Sequence, residues 1–403
     1  MRIAYFLADP GIGIFGTKGA SVHAQEMIRA FRQLGHEVTV YCTKRGNRAG
    51  DPSTEAVPSD LRTLPVFEVP VTGAKGAAER EQTVARASAR MAALAADGGY
   101  DLLYERYSLF STAGAQLSQR SGAPLVLEVN APLLAEQAAH RSLHDTTGAM
   151  DATLRSVTEA ALVSCVSEPV ADWVRCLLAP EPQQARPAVM VTPNGVNTDR
   201  FTPSAGPGDR FTVGFLGTLK PWHGTESLLE AFASAGAQNR SSWRLEILGD
   251  GPRAEQLQSS AVQLGVADQV HFHGALPPEQ VPQVLRGWDA GVAPYPAPQP
   301  GDTHYFSPLK VYEYMAAGLP TVASAVGELP GLIRHGVTGL LVPGSDISAL
   351  AEALDELGDS PQRRRAMGAA ARSEAEAHHS WGSRAAALLA ALPSRAGIQE
   401  VRA

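Results

Sequence analysis

Residues 2–42, RIAYFLADPGIGIFGTKGASVHAQEMIRAFRQLGHEVTVYC, carry the pattern from which the fold follows. Residues 2–8 are an apolar run of strand length, and Gly11, Gly13, Gly16 and Gly19 crowd the loop behind it. Ala24, Met27, Ile28, Phe31 and Leu34 then recur on one helical face. Gly35 stands where a helix C-cap belongs, and residues 38–42 form a second apolar run. A strand that is apolar throughout is covered on both faces, which makes this β-loop-α-β unit part of a parallel sheet. Further strands read at 102–104, 125–129 and 162–166, completing one doubly wound domain.

Pro180, Pro182 and Pro187 then break the pattern, a strand reads at 189–191, and residues 203–208 form a Pro/Gly/Ser linker. The alternation restarts with a strand at 211–216, a loop at 217–224, a helix at 226–235 and a strand at 245–248. The turn Gly249-Asp250-Gly251-Pro252, a helix to Leu264 stopped by Gly265, and a strand at 270–272 follow. Residues 290–294 and 321–324 read as strands on either side of a Pro-rich loop (296–308) and a helix ending at Gly318; a helical tail begins near 347. The expected fold class is α/β, two facing Rossmann-like doubly wound domains across an interdomain cleft. The expected boundaries are 1–205, 206–378, and a tail at 379–403 that packs back on the first domain. Ligands of such sheets bind at the carboxyl ends of the strands.

A chain of 403 residues has room for two cores. Its 44% apolar and 19% charged residues, with 38 Gly and 29 Pro, fit a turn-rich globular enzyme. The net charge of −7 is spread along the chain, leaving no basic face for nucleic acid. Cys42, Cys165 and Cys176 are far apart, which indicates neither a disulfide framework nor a zinc site and points to the cytoplasm. The N-terminal apolar run is too short for a signal sequence, and no stretch has the length of a membrane span.

Two segments carry chemistry. In Gly11-Ile-Gly-Ile-Phe-Gly16-Thr-Lys18-Gly19, backbone N–H groups at a helix start can hold a phosphate or a developing negative charge, although a plain tight turn explains the glycines too. In Thr303-His-Tyr305-Phe-Ser307-Pro308-Leu309-Lys310-Val-Tyr-Glu313, Ser307 suits an N-cap and Pro308 a first helical position. Lys310 then opposes the helix dipole in the first turn, a penalty that a bound anion removes. Glu313 lies one turn on along the same face, placed to accept hydrogen bonds from a diol. A surface Lys-Glu pair is the plainer alternative from spacing alone.

The segment Pro193-Asn194-Gly195-Val196-Asn197-Thr198-Asp199-Arg200-Phe201, the turn 249–252 and residues 309–320 resemble, in order and spacing, the motifs of family 4 glycosyltransferases of the GT-B fold. Residues 16–23 and Gly35-His36-Glu37-Val38 are similar to that family's opening helix. The resemblance runs from residue 2 to Trp381. It implies retaining, metal-independent transfer from a nucleotide sugar, with no cofactor; a UDP-sugar is the favoured donor, and the lack of a basic amphipathic helix favours a small polar metabolite or natural product over a lipid as acceptor. It further implies that Glu313 binds the ribose, that Ser307, Pro308, Leu309 and Lys310 bind the diphosphate, and that the backbone from Gly274 to Leu276 meets the base. Gly16, Lys18, Gly19, Thr218, Gly249 and Tyr305 complete the donor set.

Tyr305 replaces the first acid of the family's Glu-x7-Glu pair, while Thr218 and His223 fall on its usual Arg and Lys. Lys220 and Lys310 are expected to supply the displaced charge and, with His223, to stabilise the departing diphosphate. Asn130 occupies the place of a family histidine near the donor sugar, and an amide cannot act as a base. Glu128 and Arg106 are acceptor-side candidates, with a buried structural pair as the alternative. No GxSxG, HExxH, P-loop or DxD pattern occurs. An epimerase or a non-catalytic sugar-nucleotide binder on the same fold are the competing functions. No integral membrane contact is expected, and a homodimer is compatible with the chain.

Overall fold

The computed structural model describes residues 1–46, 57–140, 143–183, 186–203, 210–235, 242–299 and 304–393. Apart from Pro203, the linker read at 203–208 lies outside the described residues, as does Thr303. The chain divides into two compact units. The first holds Met1–Pro193, Tyr305–Ser307 and the segment beginning at Trp381; the second holds Asn194–His304 and Pro308–Ser380.

The first unit is built on β1 (Arg2–Leu7), β2 (Glu37–Cys42), β3 (Val66–Glu68), β4 (Leu102–Arg106), β5 (Leu125–Val129), β6 (Leu162–Cys165) and β7 (Ala188–Val191). They lie side by side as β3-β2-β1-β4-β5-β6-β7, every pair parallel. In β4, β5 and β6 every residue is buried, because helices cover both faces of a parallel sheet. The second unit contains β8 (Phe211–Leu216), β9 (Trp243–Leu248), β10 (Val270–Gly274), β11 (Ala290–Ala293), β12 (Thr321–Ser324) and β13 (Gly339–Val342). Their order is β10-β9-β8-β11-β12-β13, again all parallel. In both sheets the order reverses beside the first strand of the unit, the point at which doubly wound folds open a binding crevice.

The chain passes to the second unit at Asn194, ahead of the expected boundary at 205/206. Hydrogen bonds explain the shift. The Val196 amide donates to the His379 carbonyl at 2.8 Å, and the Arg372 guanidinium takes the carbonyl of Thr198 at 3.0 Å together with those of Phe201 and Ala316. These bonds fasten 194–201 to the second unit before the linker begins.

Strands β3 and β13 were not expected. β3 has three residues at a sheet edge, with Phe67 half exposed, and β13 begins at a glycine whose Cβ would stand 2.3 Å from the Thr321 carbonyl oxygen. Among the described residues no helix is long and apolar enough to cross a membrane.

Candidate active site

In the second unit the chemistry gathers at the carboxyl ends of β8 and β9, where backbone packs directly on backbone. Gly217 follows β8 and Gly249 follows β9, both at φ 143. The Gly217 amide donates to the Leu248 carbonyl at 2.9 Å, and a Cβ on Gly249 would stand 1.9 Å from the Gly217 oxygen. The Gly249 amide donates in turn to the carbonyl of Gly274, whose φ of 71 ends β10 just ahead of the half-buried Leu276. At Gly249 a side chain would push the loops apart, while Gly217 and Gly274 need glycine for their positive φ.

Lys310 reaches this place from the helix Leu309–Ala316. That helix starts one residue later than the spacing suggested. Pro308 occupies the N-cap position with no side-chain cap, and Ser307 is buried just ahead of it. Tyr314 fixes the helix to the sheet: its ring lies over Gly291, where a Cβ would stand 2.4 Å from it. The Tyr314 hydroxyl accepts from the Leu216 amide at 2.8 Å. One turn earlier, Lys310 Nζ lies 4.1 Å from the Phe215 ring centroid and 5.1 Å from that of Tyr295. Nζ is buried with no hydrogen-bond partner among the described residues, and a Cβ on Gly217 would stand 3.0 Å from it. Burial, opposed by the charge of Glu313, lowers the ammonium from 10.5 to about 7.

His223 ends the short 3-10 turn Pro221–His223, and its Nδ1 bonds the Thr218 carbonyl. A carbonyl only accepts, so Nδ1 carries the proton and Nε2 is left as an acceptor. Burial first, then the charge of Lys310, lowers His223 from 6.5 to about 3 against the favourable bond to Thr218. The ring is therefore neutral near pH 7, so of the three groups expected to stabilise the diphosphate the two lysines alone bring charge. Thr218 is itself exposed, and Lys220 stands further out, its Nζ 4.7 Å over the exposed ring of Trp222.

The first unit holds the remaining candidates. Gly16 is buried, and Gln25 donates to the carbonyls of Ile14 and Gly16, both at 3.0 Å, which closes the Gly-rich loop over its helix. Lys18 and Gly19 are exposed at the start of Gly19–Gln33, with Lys18 in the N-cap position. At the carboxyl end of β5, Glu128 Oε1 takes Arg106 at 3.1 Å, Asn130 at 2.7 Å, and also His23 Nε2. Burial pushes this carboxyl up, but the charges of His23 and Arg106 and the bonds from His23 and Asn130 outweigh it and hold it at about 2. Arg106 and Glu128 are thus a buried internal pair. Asn130, half-buried, lies at the end of the network, where it lines a small pocket together with Glu128, His23, Tyr104, Thr192 and Trp381. Tyr305 also belongs here: its hydroxyl donates to Glu136, and its carbonyl accepts from Ser167 Oγ at 2.6 Å.

The structure thus brings Lys310, His223, Gly217 and Gly249 together in one unit, and Asn130, Glu128 and Arg106 in the other. Sequence reasoning missed Phe215, Tyr295 and His23. The first two are remote in the chain from Lys310, and nothing in their spacing connects them to it. His23 carried a signal, as a histidine on the otherwise apolar face of the opening helix.

Two doubly wound parallel sheets of this kind, each with polar groups at the carboxyl ends of its strands, are the architecture of the GT-B fold. The families described as Glycosyltransferase Family 4 and Glycosyl transferases group 1 match residues 17–200 and 197–374. The D-inositol 3-phosphate glycosyltransferase of Streptomyces scabiei is 30% identical over 94% of this chain and 87% of its own length. The GDP-mannose-dependent alpha-(1-6)-phosphatidylinositol monomannoside mannosyltransferase of Mycolicibacterium smegmatis is 33% identical over 50% of this chain and 56% of its own. In structure, sucrose-phosphate synthase from Thermosynechococcus elongatus superposes with a TM-score of 0.73 at 21% identity, covering 97% of this chain and 98% of that one. The chain belongs to glycosyltransferase family 4.

Proposed function

We propose that the protein moves a sugar, with retention of configuration and without a metal ion, from a nucleoside diphosphate to a small polar acceptor. The donor is assigned to the second unit and the acceptor to the first. The observation that carries this reading is Lys310, a buried ammonium with three unused donors at a helix start beside the Gly217 and Gly249 backbone. A diphosphate there meets both Lys310 and the free N–H groups following Pro308. In this assignment Ser307, Pro308 and Leu309 shape the phosphate site, Glu313 accepts from the ribose hydroxyls, and residues 274–276 lie against the base. Within the second unit Thr218 completes the donor surroundings, with Lys220 as the outer cation; Gly16, Lys18 and Gly19 lie in the first unit.

As the glycosidic bond breaks, its electrons pass to the diphosphate oxygen, and the charge of Lys310 stabilises them. The acceptor oxygen bonds the anomeric carbon from the same face and gives its proton to the leaving phosphate. An enzymic base is missing among the candidates of the first unit: Asn130 does not titrate, and a carboxyl held at about 2, as in Glu128, is badly matched to accept a proton near pH 7. Among the described residues no three His, Cys, Asp or Glu side chains converge to hold a metal. The inositol phosphate named for the Streptomyces relative makes a polyol or its phosphate the first acceptor to try.

A thermal-shift screen of UDP, GDP, dTDP and ADP tests the donor site, since a nucleotide at a hundred times its Kd adds about 2.7 kcal/mol of stability. The stabilising nucleotide, as its glucose, N-acetylglucosamine or mannose derivative, should release free nucleoside diphosphate only when inositol or inositol 3-phosphate is added, with the anomeric configuration retained by NMR. Unchanged turnover in Lys310→Ala and Glu313→Ala would overturn the assignment.

A further inference from the structure

Lys310 differs from an ordinary phosphate-binding lysine in being enclosed before any anion arrives. It is 7% exposed, and two of the groups around Nζ are the rings of Phe215, from β8, and Tyr295, from the chain after β11. Aromatic faces attract a cation, but they do not accept the three hydrogen bonds that an ammonium gives up on leaving water. The charged and titratable groups facing it are few. Glu313, on its own helix, is the acid whose charge reaches it. His223, from the loop after β8, is neutral near pH 7, and Lys220 beyond it adds only positive charge. The phenols of Tyr295 and Tyr314 are both pushed up by burial and stay uncharged. From the turn between β8 and that loop, Gly217 adds only backbone, 3.0 Å away at the position of a missing Cβ.

We propose that arrival of a nucleoside diphosphate at this helix start makes Lys310 take up a proton from solvent, so that the site acquires its charge from its substrate. The inference rests on the donor site proposed above. The step is an acid-base equilibrium: the Nζ lone pair binds one proton, no bond of the nucleotide changes, and the resulting ammonium donates to the diphosphate oxygens. It follows because an opposite charge at hydrogen-bond distance favours the charged form that burial disfavours. With the group titrating near 7 in the ligand-free chain, the amine is mostly neutral at pH 8. Binding at that pH draws in most of one proton. By linkage, affinity weakens about tenfold for each pH unit above this point, until the group titrates in the complex as well. A neutral nucleoside, which places no charge beside Nζ, produces no uptake.

The test is calorimetry at pH 8.0 with the nucleoside diphosphate that stabilises the protein, in Tris and in HEPES, whose ionisation enthalpies differ. The terminal phosphate of the free nucleotide is already ionised at that pH, its pKa being about 6, so any proton taken up belongs to the protein. The expected result is an uptake of about one proton in the wild type, and none in Lys310→Arg, whose guanidinium is charged throughout. A binding enthalpy equal in the two buffers overturns the coupling while leaving the donor site standing. Uptake of the same size in the Arg variant also overturns it and transfers the proton to another group. Absence of binding by any of the four nucleotides overturns the donor-site reading itself. If Lys310→Arg does not fold, the wild type still decides: Kd should rise about tenfold between pH 8 and 9, and a flat profile over that range overturns the proposal. His223, lowered to about 3, does not titrate in that window.

Discussion

At the residue scale, Lys310 and Glu313 divide the donor between two kinds of recognition, and substitution should separate them. Replacing Lys310 by Met removes the charge but keeps the stem packed between the two rings; kcat should fall by about 10²–10³, the usual consequence of losing one preorganised group at a developing anion. Glu313→Gln should weaken the nucleoside diphosphate about tenfold or more, the scale of a hydrogen bond to a charged group. Its 2′,3′-dideoxy analogue should bind wild type and variant alike, because the hydroxyls that need the carboxylate are gone; calorimetry with both ligands checks this. That Lys310 and Glu313 share a helix face could be read from the sequence because residues three apart along a helix are neighbours by geometry. What surrounds Lys310 could not. Phe215 and Tyr295 come from other strands, and the neutral state of His223 arises from its bond to Thr218 and its burial, neither of which has a local signature.

At the scale of elements, the helix Leu309–Ala316 is only as well placed as its seat on the sheet. That seat is Gly291, over which the Tyr314 ring lies. Gly291→Ala puts a methyl into a buried ring that has nowhere to go, and should cost about 1–3 kcal/mol. Gly331→Ala is the control, an exposed helical glycine whose Cβ would meet nothing within 4 Å, and it should leave stability unchanged or slightly raised. Melting curves of the two variants check the difference. Elements with nearly continuous apolar runs, such as β1, were legible because a strand buried on both faces has few polar residues. β3 was not, since three half-exposed residues at an edge look like loop, and neither was β13, because strand pairing and not composition holds Gly339 in place. The helix-stop glycines Gly35 and Gly265 were legible by chemistry, both at positive φ (81 and 70) where the chain turns.

For the whole molecule, two buried groups set the acid limit by different routes. His223 is neutral when folded down to about 3 but takes a proton below 6.5 when unfolded, so stability falls as pH drops through that interval. Glu128, held at about 2 against an ordinary 4.5, contributes stability that is complete above 4.5 and lost as pH falls through 2, about 3 kcal/mol for a fully buried carboxylate. Denaturant titrations from pH 7 to 3 should show the loss beginning near 6.5 and steepening below 4.5; Glu128→Gln should abolish the second part. The helix Trp381–Ala390 adds a constraint of another sort. It is counted with the first unit, and its leading tryptophan stacks edge-on against His23 with ring centroids 4.8 Å apart. A gene fragment ending at codon 193 therefore encodes an incomplete domain, with its opening helix stripped of a partner encoded far downstream, from codon 381 onward. Biochemists wishing to dissect the enzyme should supply the 381–393 peptide in trans, or fuse it through a linker behind Pro193.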